Sequence, residues 1–200
     1  MSFGNRAAAF LGPLAGKTTA FLLENRASKL NLAQATLPYL AEREEGCCIL
    51  DLDAFYSSNL ETIARNFPRS NLKRVEIIIP EVGADIEATL AEIFVAASNR
   101  PLVIDSTNSL YQLLASQKPK SSSRKFAFLT AALSSWARAN SSLVMANMYE
   151  REPPIRRRTA QFSGFFDVVV SVSRKPRGLG LFCKKGSAWQ NRTFFLPLEN

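Results

Sequence analysis

What most constrains this chain is the alternation of short β-branched or aliphatic runs with longer stretches whose apolar residues recur at helical spacing. Residues 47–52 form a continuous apolar run ending in acid, the pattern of a strand buried on both faces. Residues 75–79, stopped by Pro80, and 101–104, ending at Asp105, repeat that pattern. Between them Ile86, Leu90, Ile93 and Phe94 line one helical stripe over 86–97. Earlier in the chain, 7–11 reads as a first strand ending at Gly12-Pro13, 17–26 as a helix, and 30–45 as a helical stretch kinked at Pro38. Further helices are expected over 60–66, 109–114 and 125–139, a strand over 142–146, and loops over 118–123 and 149–161. Three strands, 167–172, 178–183 and 193–196, close the chain with turns at Arg177-Gly178 and Gly186-Ser187. Strand–helix alternation followed by terminal hairpins predicts an α/β domain. Its central sheet is expected to be mostly parallel and flanked by helices, with antiparallel C-terminal strands.

Two hundred residues suit a single domain with a sizeable core. No apolar run approaches the roughly 18 residues of a spanning helix, and residues 1–9 lack the apolar core of a signal peptide. An intracellular, cytoplasmic protein with no membrane partner is expected. Three cysteines, two of them adjacent at Cys47 and Cys48, argue against a disulfide framework. The chain has no histidine, which excludes His-ligated metals and His general bases. The net charge of +8 is unevenly spread: residues 1–123 hold 12 Lys/Arg against 13 Asp/Glu, whereas residues 124–200 hold 13 against 4. All the excess positive charge lies in the C-terminal part, as expected of a protein that engages an anionic partner from that side, nucleic acid first.

On this reading, Gly12-Pro13-Leu14-Ala15-Gly16-Lys17-Thr18-Thr19 stands between a first strand and a first helix, the setting of a phosphate-binding loop. In such a loop glycines let successive backbone N–H groups turn inward around phosphate oxygens, and the helix N-terminus adds its positive dipole end. Lys17 would charge-pair with the β/γ-phosphates and the Thr18 hydroxyl would reach Mg²⁺. ATP and Mg²⁺ are therefore the candidate cofactors, with Gly12, Gly16, Lys17, Thr18 and Thr19 around them. Only three residues separate Gly12 from Gly16, so the loop is one short of the usual spacing and offers fewer inward amides. The alternative is a Gly-Lys-Thr-Thr that merely starts a helix after a turn.

With these residues in place the chain resembles the RecA-like ATPase core of the archaeal RadA/RadB recombinases and their paralogues, with the KaiC-like ATPases as nearest competitor. The similarity runs through Gly12-Pro13 and Gly16-Lys17-Thr18-Thr19, then Asp51-Leu52-Asp53-Ala54-Phe55, Leu102-Val103-Ile104-Asp105-Ser106, Asn147-Met148 and Arg174-Lys175-Pro176-Arg177-Gly178. It implies a RecA-like P-loop NTPase fold over residues 1–200, one core domain without an N-terminal DNA-binding domain. It further implies that Asp105 orients a Mg²⁺-bound water, and that Asp53 stands where the family's catalytic glutamate polarises the attacking water. Asp53 is one methylene shorter, and Met148 replaces the family's γ-phosphate-sensing glutamine. Altered positioning groups cost orders of magnitude in phosphoryl transfer, so slow or absent hydrolysis is expected.

The family holds DNA on two loops. Here the corresponding stretches carry Lys118, Lys120, Arg124 and Lys125, then Arg151, Arg156, Arg157 and Arg158, with Tyr149 and Phe162 as candidate stacking rings. The resemblance thus implies an accessory protein of homologous recombination and repair, binding single-stranded DNA and a recombinase or paralogue. A RecA/KaiC-type regulatory ATPase and a non-catalytic scaffold for a protein or RNA partner are the other functions this pattern allows. Leu32, Leu37 and Leu40 either cover the sheet or form a partner face, Trp136 belongs with the core, and Trp189 is a candidate interface residue.

Overall fold

A computed structural model of the chain describes residues 3–43, 45–67, 69–81, 83–117, 119–150, 162–186 and 189–198. The chain opens not with a strand but with helix α1, Phe3–Leu11. Its Ala-rich stretch favours helix over strand, and Ala7, Phe10 and Leu11 fall on one face and are buried. A 3₁₀ turn over Gly12–Leu14 follows, with Pro13 fixing its backbone.

The first strand is β1, Thr18–Leu23, and all six of its residues are buried. The expected helix over 17–26 is therefore a strand. An apolar run without alternation does not distinguish a core strand from a core helix by period alone, and here the β-branched Thr18 and Thr19 pointed to strand. Helix α2, Arg26–Ala41, comes next and runs through Pro38. Beyond it lie β2 (Cys47–Asp51), α3 (Phe55–Ile63), α4 (Arg69–Leu72), β3 (Val75–Ile78) and α5 (Ile86–Ala96). Then come β4 (Leu102–Asp105), α6 (Thr107–Gln117), α7 (Ser122–Ala139) and β5 (Val144–Tyr149). The chain finishes on β6 (Val168–Lys175), β7 (Gly178–Lys185) and β8 (Thr193–Pro197).

One eight-stranded sheet has the order β3-β2-β4-β5-β1-β6-β7-β8. The pairs from β3 to β6 are parallel, and β7 and β8 are added antiparallel. This is the α/β arrangement expected from the alternation. Side chains alternate across the strands, so the central strands feed two cores. Phe21 and Leu23 of β1 face a layer that contains Phe10, Leu32, Leu37, Leu40, Phe55 and Tyr56. Ala20 and Leu22 face the other, with Ile86, Leu90, Leu110, Phe126 and Leu133. Leu32, Leu37 and Leu40 thus cover the sheet. Trp136 stacks on Phe94 and donates its indole N–H to the Phe94 carbonyl (2.9 Å). Trp189 packs on Phe10 and Phe194, an internal contact.

Among the described residues no helix is long and apolar enough to cross a membrane.

Candidate functional site

In an open parallel sheet the ligand crevice lies at the carboxyl ends of the strands, where each strand hands over to its helix. A phosphate loop belongs to the first such handover, strand to helix. In this protein that connection is Glu24–Asn25, between β1 and α2, and the first turn of α2 follows it. The Gly12–Thr19 segment precedes β1. Thr18 pairs in register with Val144, which pairs with Leu102, so Lys17 lies one residue below the foot of the sheet. Asp105 stands four residues higher, about 13 Å along the strand direction. Gly12, Gly16, Lys17, Thr18 and Thr19 are therefore not brought together with Asp53 and Asp105.

The local chemistry agrees with this correction. The amides that a phosphate cradle would leave free are satisfied within the chain: Ala15 N–H donates to Gly12 O, Gly16 N–H to Ser142 O, and Lys17 N–H to Leu14 O. Gly16 is needed for its left-handed backbone (φ +73°). Thr18 has no hydroxyl to spare for a metal. Its N–H and Oγ1–H both donate to Asp167 Oδ2, at 3.0 and 2.8 Å. Ser134 and Arg138 of α7 complete that knot, at 2.8 and 2.9 Å from the same carboxylate. Burial alone would raise the Asp167 pKa. The donors from Thr18, Ser134 and Arg138 outweigh it and hold the carboxyl down at about 2.

At the carboxyl edge the lysine is Lys29, which the sequence reading passed over. It sits in the first turn of α2, and its side chain is fully buried (0% exposed). Asn25 caps that helix by accepting from Ser28 N–H (2.9 Å) and Ser28 Oγ–H (3.2 Å). The Lys29 ammonium reaches across to the ends of β2 and β4. It lies 2.5 Å from Asp105 Oδ2 and 3.2 Å from both oxygens of Asp53. The Phe55 ring closes over it, its centroid 4.1 Å from Nζ, and the Tyr149 ring lies at 5.4 Å. Ala54, in the left-handed region at φ 53°, turns the chain so that Asp53 and Phe55 both face the lysine.

Asp105 is fully buried. Desolvation pushes its carboxyl up to about 7, against the pull of Lys29 and with a further push from Asp53. Its second oxygen accepts from Asn147 Nδ2 (3.0 Å), whose other contact is the buried Tyr56 hydroxyl (3.4 Å). Burial first, then the Asp105 charge, raises the Tyr56 pKa well above its ordinary value. Asp51 is the third carboxylate, with all three groups within 4.8 Å of one another. Both Asp51 oxygens are spent on the start of α3: Phe55 N–H at 2.8 Å, Ser57 N–H at 2.9 Å and Ser57 Oγ–H at 3.0 Å.

The residues present do not fit a nucleoside triphosphate with Mg²⁺. The turn from Glu24 to Ser28 contains no glycine, the Asn25 side chain already takes the Ser28 N–H, and Leu30 follows Lys29 where a phosphate loop has Ser or Thr. The cation that would meet a phosphate is neutralised by two aspartates, and Asp105 faces an ammonium where a metal-bound water would stand.

Of the candidate nucleic-acid residues, Lys120 and Arg124 are exposed near the start of α7. Lys125 pairs with Glu87 in the first turn of α5. Phe162 is not available for stacking, since it packs in the core on Tyr111 and Phe126 at 4.5 and 4.6 Å. Lys118, Arg151, Arg156, Arg157 and Arg158 lie outside the described residues.

No family model and no curated protein matches the chain. Among solved structures it is similar to a crystal structure of the RadB recombinase, at a TM-score of 0.71 and 14% identity, over 97% of this chain and 94% of that one. The likeness spans all eight strands, so the protein has the RecA-like fold of the RadA/RadB-type recombinase core.

Proposed function

We propose that this protein is a recombinase-like accessory factor of homologous recombination and repair. It binds single-stranded DNA through basic segments and neither needs nor hydrolyses ATP. The single observation that carries the second part is Lys29, buried between Asp105 and Asp53 at the handover from β1 to α2. Phosphoryl transfer is almost entirely positioning and electrostatic stabilisation. A lysine already held by two carboxylates has no charge left for a phosphate, and the internal ion pairs give the crevice the cation that a nucleotide complex would otherwise bring. The cluster keeps the ends of β1, β2 and β4 in one arrangement without ligand.

DNA binding is supported by charge. The C-terminal 77 residues carry nine more positive than negative groups, and contacts to phosphates need little more than flexible Lys and Arg. The segments concerned are Lys118, Lys120, Arg124 and Lys125, then Arg151, Arg156, Arg157 and Arg158.

Two measurements test the proposal. Adding Mg²⁺–ATP leaves the melting temperature unchanged, both for wild type and for Lys17→Ala, because a ligand stabilises only what it binds. A nucleotide-dependent rise in melting temperature would refute the ligand-free reading. Replacing Arg156, Arg157 and Arg158 together by Ala weakens binding to a labelled single-stranded oligonucleotide. It also flattens the dependence of log affinity on log salt by about 2, at roughly 0.7 per lost phosphate contact. Unchanged affinity and slope would remove that segment from the interface.

A further inference from the structure

Among the described residues, β7 and β8 present one face that carries exposed side chains. Val168, Val170, Val172, Leu179, Leu181, Cys183 and Leu196 point inward to the layer that holds α1 and α2. The alternate positions point the other way. Among them Phe182 of β7 is 39% exposed and Phe195 of β8 is 46% exposed. The register sets Phe182 opposite Thr193 and Phe195 opposite Gly180, so the two rings are diagonal neighbours on adjacent strands. Their Cα atoms are then about 7–8 Å apart. The floor between them is small. A Cβ at Gly178 would fall 2.9 Å from the Phe195 ring, and one at Gly180 would fall 2.9 Å from the Lys175 side chain. Ser171 and Ser173 of β6 complete the row.

The three strands themselves carry charge of one sign. Residues 168–198 contain six Lys/Arg and no acidic residue. Arg174, Lys175 and Arg177 cluster at the β6–β7 turn, and Arg192 stands at the opposite end beside β8, all exposed. Lys184 is paired with Glu150 (2.7 Å), and Lys185 donates to the carbonyls of Gly164 and Phe166. Those two therefore help shape the end of the face; Arg174 falls opposite Leu179 and Arg192 opposite Cys183, on inward positions, so Lys175 and Arg177 supply the available charge of the outer face.

We propose that the outer face of β6–β8 is a binding platform for single-stranded nucleic acid, with bases stacked on Phe182 and Phe195 and phosphates met by Lys175 and Arg177. Exposed aromatic rings on a sheet face, spaced as diagonal neighbours with cations at one end, suit a strand whose bases are unstacked. A duplex hides its base faces and would leave the rings idle. A protein partner of matching acidity could meet the cations, but it would not need two exposed aromatic rings at diagonal positions. The proposal shares with the proposed function only the choice of a single strand as partner, and it uses other residues.

The test is fluorescence anisotropy of the full chain with a labelled oligothymidylate. Phe182→Ala with Phe195→Ala lowers affinity at least about tenfold with the salt slope unchanged, since stacking is uncharged. Lys175→Ala with Arg177→Ala flattens the slope by about 1.4. Phe195→Trp provides a direct signature, its emission quenched on binding against a Phe195→Leu background that shows no change. Full affinity in the double Phe variant, with an unaltered circular dichroism spectrum, overturns the platform. So does a loss of binding that instead tracks anionic phosphatidylserine vesicles or self-association in sedimentation. If the three-arginine variant alone loses binding, the loop reading stands and the platform falls. If the double Phe variant alone loses it, the reverse holds. A wild type that binds no oligothymidylate ends both.

Discussion

Replacing Lys29 by methionine lowers the stability of the folded protein by about 3–5 kcal/mol, the cost of leaving a buried carboxylate without its partner. For a domain of this size that is a fall in melting temperature of roughly 10 °C. Methionine keeps most of the volume and removes only the charge, so the effect reports on the ion pairs with Asp105 and Asp53. The pH dependence has a definite sign. The Asp105 pKa is already raised to about 7 by burial, well above its unfolded value, and without the ammonium it rises further. A carboxyl whose folded pKa is raised binds protons more readily when folded, so stability falls as pH rises through that window. The loss in Lys29→Met is therefore largest above about pH 7 and shrinks towards about pH 5, where Asp105 takes up a proton instead. Adding Asp105→Asn to Lys29→Met recovers most of the stability, because the amide needs no counter-ion and can still accept from Asn147. Thermal unfolding of the single and double variants across pH decides the matter. An unchanged melting temperature in Lys29→Met would show that the lysine is not committed to the fold and remains free for a ligand.

Asp167→Ala is expected to cost about 2–3 kcal/mol. The carboxylate accepts two hydrogen bonds from Thr18, one from Ser134 and one from Arg138, and so ties β1 and α7 to the start of β6. Bonds to a charged acceptor are each worth more than neutral ones, but the group is half-buried and water can replace part of what is lost. The acid response is opposite to that of Asp105. The folded pKa of Asp167 is depressed to about 2, so its contribution is complete above the unfolded value near 4 and is lost as pH falls from about 4 through about 2. In Asp167→Ala that segment of the acid-unfolding curve is missing. Thr18→Val, which removes only one of the donors, gives a smaller loss of about 1 kcal/mol. Equal melting curves for wild type and Asp167→Ala at neutral pH would contradict the arrangement.

Much of the fold was legible because buried parallel strands require continuous apolar runs. The runs at β2 and β4 are buried throughout and end within a residue of their expected limits, whereas β3, expected to be buried, is a partly exposed edge strand. Asp105 was found in the same way, as a carboxylate ending such a run. The N-terminal quarter was misread from a single cue. Gly16-Lys17-Thr18-Thr19 looks like the start of a helix after a phosphate turn, and that shifted the first strand to residues that form α1. The six buried residues of β1, followed by Asn25 with Ser28 three residues on, carried the better signal: a core strand and then a helix cap.

The sequence by itself determined the alternating α/β plan, the antiparallel close, the Asp105 strand end and the concentration of positive charge in the second half. Hydrophobic periodicity and charge are local properties of a chain, and they survive any arrangement in space. Only the tertiary structure decided which lysine belongs to the site. In one dimension Gly16-Lys17-Thr18-Thr19 favours Lys17 over Lys29. They part company because the six extended residues of β1 carry the chain from one edge of the sheet to the other. Lys29 then lands beside two aspartates brought from strands more than twenty and seventy residues away.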